Sequence, residues 1–113
     1  MIKFLDMDGV IIDSIEECYK VSKDTYFKDR VFTYSKDKYR KIFFKYRGYV
    51  GPPYEYFCLH DAIIKFYDKQ FEDFEFIEYF NNISKKLQHE AKIAFEETFF
   101  SIRLDYQNND FDN

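Results

Sequence analysis

Apolar residues open this chain as one short run, Ile2, Phe4 and Leu5, and thereafter recur mainly at threes and fours. The opening run, interrupted only by Lys3 and stopped by Asp6, reads as a short buried strand over 2–5. Gly9 follows where the backbone has to turn. Ser14, with Glu17 three residues on, has the spacing of a capping box and predicts a helix from about 15 towards 28. Ser35 caps a second predicted helix over 36–46. The stretch RGYVGPP, 47–53, breaks the pattern, and Pro53 suits the first turn of a third helix reaching about 69. The longest pattern places Ile77, Phe80, Ser84, Leu87, Ala91, Ala94, Thr98 and Ile102 on one face of a single helix, kinked, over about 73–104. The polar ending DYQNNDFDN reads as a frayed tail or cut linker. The expected organisation is therefore a first strand and loop over 1–14, a mostly helical region over 15–104 and a tail over 105–113.

One strand among helices is a physical problem, because both of its edges leave backbone groups unpaired. The expectation is that the strand pairs with another copy or a completing chain, or that the sequence is part of a larger protein. Composition adds 15 Phe and 11 Tyr in 113 residues, enough ring surface for a core despite 34% charged residues. A net charge of −4, with Lys and Arg interleaved among acids, argues against nucleic acid as the partner. Cys18 and Cys58 form no metal-type or redox-type pair and read as reduced thiols. No apolar run approaches the ~18 residues that span a bilayer, and Asp6 interrupts any leader-like stretch. The expectation is a cytoplasmic protein that does not enter membranes.

Asp6 and Asp8 carry the chemistry. Two residues apart in an extended segment, they project to the same side, where like charges repel unless a cation or a reaction uses them. Two carboxylates at the end of a strand make a hard oxygen site suited to Mg²⁺. The matching reaction is phosphoryl transfer, with one carboxylate attacking phosphorus and the other acting as acid and base. Plain capping of the next helix is the bland alternative, weakened because Asp13 and Ser14 already supply caps. A calcium loop accounts for Asp6, Asp8 and Glu17 but fails at Val10 and Ile11, where an oxygen ligand and a glycine are needed.

The segment FLDMDGVIIDS resembles the first motif of the haloacid dehalogenase-like superfamily, an apolar strand followed by Asp-x-Asp-Gly-Val and a later Asp-Ser. The resemblance implies an α/β core of Rossmann type with an α-helical cap, this chain supplying one short N-terminal strand and mostly helices. It implies Asp6 as nucleophile and Mg²⁺ ligand, and Asp8 as acid/base and second metal contact. YRGYVGPPYEYF is similar to the Gly-x-Pro turn of caps in the phosphoglycolate phosphatase-like and β-phosphoglucomutase-like branch. That similarity points to Arg47 as a contact for a substrate anion and to Gly51 as a point of close backbone approach. A helix-helix turn with a solvated arginine explains the same residues.

The family also uses a Ser or Thr, a Lys and a later acidic pair, each following a core strand. Ser101, Lys85, Lys86, Asp110 and Asp112 have the right chemical types but no such setting, and none is assigned these roles. The expected function is a Mg²⁺-dependent phosphohydrolase acting on a small phosphorylated metabolite through an aspartyl phosphate, incomplete in this chain. The alternative is a non-catalytic helical relative that binds a partner or itself. His60 and His89 have no second ligand at metal spacing and read as surface or half-buried helix residues.

Overall fold

Rings recurring at threes and fours give the helices apolar faces, and burying those faces together decides the architecture. The computed structural model describes residues 10–111, with the side chains of 15–106. Five helices follow one another: α1 (Val10–Tyr26), α2 (Lys36–Tyr46), α3 (Glu55–Phe66), α4 (Asp73–Lys86) and α5 (His89–Phe111). A single 3₁₀ turn, Arg47–Tyr49, continues from α2.

Local chemistry sets the boundaries. Ser35 Oγ accepts from the Lys38 N–H at the start of α2. Pro52 and Pro53 supply the carbonyls that receive the N–H groups of Glu55 and Tyr56, forming the turn that leads into α3. At α4, Glu72 and Glu75 cap reciprocally, Glu75 Oε1 accepting from the Glu72 N–H at 2.9 Å.

Helix α3 is the centre, packed against α1, α2 and α4, while α5 returns to lie along α1. Aromatic rings tie the layers. Phe43 of α2, Tyr56 of α3 and Phe99 of α5 form a near-parallel column, with centroids 5.9 and 5.6 Å apart. Tyr46 stacks on Phe76 at 3.8 Å, joining α2 to α4. Such contacts add about 0.5–1.5 kcal/mol each beyond the area they bury.

Several expectations are corrected. Every regular element among the described residues is a helix, with no strand among them, so the described fold is all-helical and not the α/β fold the resemblance implied. Physically, no second strand-forming run exists to build a sheet, and the stripes find one another instead. The expected strand over 2–5 lies outside the described residues. Helix α1 begins at Val10, which places Ser14 inside it rather than at its cap. The expected single helix over 73–104 is two helices, because the chain becomes extended at Leu87 (ψ 126°) and restarts at His89. The presumed tail is helical as far as Phe111. Among the described residues no helix is long and apolar enough to cross a membrane.

Candidate functional site

Asp6 and Asp8, the proposed nucleophile and acid/base, lie outside the described residues. The helix that follows them, α1, starts directly after Gly9. Arg47 opens the 3₁₀ turn and is half-buried; its Nε is buried with no hydrogen-bond partner among the described residues. Its guanidinium lies close enough to Tyr56 to oppose the rise in that phenol's pKa, which comes from burial and from Cys18. An unsatisfied charged donor in such a place is costly, and an anion's oxygen would relieve it. Gly51 is exposed, and its N–H donates to Glu55 Oε1 at 2.8 Å. A Cβ there would meet the same oxygen at 3.3 Å, so Gly51 serves the start of α3. Arg47 and Gly51 thus share one connection, and no described side chain links them.

The most developed polar arrangement is internal, and the sequence did not announce it. His60 is fully buried, where a surface or half-buried side chain was expected. Its Nε2 lies 2.8 Å from Ser22 Oγ on α1, and its Nδ1 lies 2.7 Å from the Tyr39 hydroxyl on α2. Ser22 is buried too and donates to the Tyr19 carbonyl at 3.4 Å. One proton arrangement satisfies every group: Tyr39 O–H donates to Nδ1, Nε2–H donates to Ser22, and Ser22 donates to Tyr19. The reverse tautomer would leave the Tyr39 proton without an acceptor. Burial, with Lys23 nearby, pushes the imidazole down to about 3, so it is neutral at ordinary pH.

A serine within hydrogen-bond reach of a histidine has the form of an activated nucleophile. Here neither side chain meets solvent, and the second ring nitrogen faces a phenol rather than a carboxylate. A substrate cannot approach Ser22 in this packing. The cluster is a tie between three helices. Asp61, the next residue, extends it by accepting from Tyr26 of α1 at 3.0 Å and Tyr79 of α4 at 2.8 Å. A sequence signal for His60 did exist: it falls in register with Tyr56 and Ile63, both buried.

Among the described residues no group of three or more His, Cys, Asp or Glu side chains is placed to hold a metal ion. The donor chemistry suited to Mg²⁺ is that of the Asp6 and Asp8 carboxylates. Cys18 and Cys58 are both buried free thiols, and burial pushes Cys58 up to about 12, away from nucleophilic use. Compared with known proteins, the chain matches no family model, no curated protein and no solved structure.

Proposed function

We propose that this chain carries the first catalytic segment and a helical cap of a Mg²⁺-dependent phosphohydrolase resembling the haloacid dehalogenase-like enzymes. The observation that carries this reading is Asp6-Met7-Asp8-Gly9 standing directly before a helix that starts at Val10. In this mechanism an Asp6 carboxylate oxygen forms a bond to phosphorus while the ester P–O bond breaks. Asp8 gives its proton to the departing alkoxide, then removes one from the water that hydrolyses the acyl phosphate. Mg²⁺, held by the two carboxylates, would supply neutralising charge for the phosphate. The buried Nε of Arg47, without a partner among the described residues, supports a place for that arginine against a substrate anion. The substrate is a small phosphorylated metabolite in the cytoplasm, and a completing segment or chain supplies the remaining Ser/Thr, Lys and acidic groups.

A specific observation favours a second reading, a non-catalytic module that binds a partner or itself. Ile93, Phe100 and Leu104 are exposed at spacings of seven and four on the outer side of α5. Hydrolysis of p-nitrophenyl phosphate with and without Mg²⁺, beside Asp6→Asn, separates the two. With the completing segment or chain present, metal-dependent turnover lost in Asp6→Asn is expected from the catalytic reading. Equal inertness of both proteins would leave the binding module.

A further inference from the structure

Lys38, Lys41 and Lys45 follow one another at three and four along α2, so they share one helix face. With residues 67–71, which connect α3 to α4, this face forms an open groove of about 660 Å³. Four lysines, Lys69 included, line it against Asp37 and Asp68, a local balance of 4 − 2 = +2 on a chain of net −4. Two of the lysines are engaged: Lys38 with Asp68 at 3.9 Å and Lys45 with Asp73 at 3.2 Å. Among the described residues Lys41 and Lys69 have no carboxylate partner, and both are exposed.

Cations repeated along one face repel one another unless an anion lies between them. A second feature points the same way. The Tyr67 hydroxyl accepts from the Ser35 N–H at 2.8 Å, and its own proton has no acceptor among the described residues. It remains as a donor at the groove wall. Tyr67 and Phe71, both partly buried, bring ring surface to the wall, with Lys38 Nζ 4.3 Å over the Tyr67 ring, while Tyr46 is buried against Phe76. Donors spread over several side chains suit the many oxygens of a phosphate group, and ring faces suit a planar group attached to it. The volume is that of a small-molecule site.

We infer that this groove binds a small phosphate-bearing molecule with a planar ring, of the nucleoside diphosphate class. The inference goes beyond the phosphohydrolase reading and does not rest on it, since no groove residue belongs to the Asp6 segment. Lys41 and Lys69 contact the phosphate oxygens, Tyr67 donates its phenol proton, and the Phe71 side faces the ring.

Isothermal titration calorimetry with ADP, pyrophosphate and adenosine, in metal-free buffer, tests the assignment. The proteins are the wild type, Lys41→Glu/Lys69→Glu, and Lys20→Glu/Lys86→Glu, which makes the same charge change at exposed positions outside the groove. Circular dichroism establishes that all three are folded. The expected result is saturable ADP binding, weakened about tenfold or more by the groove pair and by about twofold or less by the control pair. Pyrophosphate and adenosine should each bind more weakly than ADP. No saturable ADP heat, or equal weakening by both pairs, overturns the site. Pyrophosphate binding as tightly as ADP overturns the role of the aromatic wall.

Discussion

Helices α3 and α5 make opposite use of their residues. With 12 residues, α3 buries Tyr56, Cys58, Leu59, His60, Ala62 and Ile63. With 23, α5 buries Phe95 and Phe99 among its described side chains. The polar ties differ in kind as well. His60 and Asp61 of α3 bind side chains from three other helices in the interior or at its edge. Those of α5 sit nearer the surface: Arg103 with Glu17 at 2.7 Å, and the Tyr106 hydroxyl donating to Asp24. Position in the fold, not length, decides how much of a helix becomes core. A short central helix sees neighbours on most sides, whereas a long peripheral one keeps a solvent face.

The contrast is broken most forcefully at Leu59, which is fully buried. Leu59→Ala should destabilise the protein by about 2–5 kcal/mol in urea denaturation. A loss under 1 kcal/mol would mean that α3 is not the centre. Acid should be the next largest lever. His60 is depressed to about 3 when folded against 6.5 when unfolded. The unfolded chain therefore binds more protons between those values. The stabilisation from neutral His60 is complete above pH 6.5 and declines as pH falls towards 3. The slope from this one group reaches about 1.4 kcal/mol per pH unit. Denaturation midpoints measured from pH 7 to 4.5 should show this slope in the wild type, and His60→Gln should flatten it.

A smaller effect sharpens the boundary of α5. His89 is its first residue, so proline there removes no intrahelical bond, and His89→Pro should change stability by less than about 1 kcal/mol. One continuous helix through this point would instead lose about 3 kcal/mol. The smallest change is expected on the outer face. Leu104 is 57% exposed, and Leu104→Ala should stay within about 0.5 kcal/mol. A larger loss would show that the face is covered.

How much of this was legible follows from the same contrast. The start and end of α2 could be read because Ser35 and the RGYVGPP break are local signals, and locally encoded features survive folding. The stripe drawn from Ile77 to Ile102 was right in period but wrong in continuity. Across the break the buried register moves to Phe95 and Phe99, leaving Ala91 and Ala94 exposed. A two-residue interruption at Leu87 and Gln88 carries no glycine or proline, so nothing local marks it. The α/β expectation came from eleven residues, FLDMDGVIIDS, whose resemblance implied a core to which this chain would give one strand and mostly helices. The remaining pattern is helical and the described fold follows it. For the candidate site, Arg47 stands in the 3₁₀ turn that continues α2 and Gly51 in the connection after it, while Asp6 and Asp8 stand only as sequence. The burial of His60 could have been read from its register with Tyr56 and Ile63, but its partners Ser22 and Tyr39, 38 and 21 residues away, could not, since periodicity within one helix does not register them.

The buried imidazole also gives the molecule a built-in clock. Its Nε2 proton is held by Ser22 inside a dry shell of Tyr26, Phe27, Tyr39 and Phe43 rings. Water can reach that proton only when the packing of α3 against its neighbours opens. A single downfield nitrogen-bound resonance, followed in deuterated solvent, would therefore time the cooperative opening of the whole core.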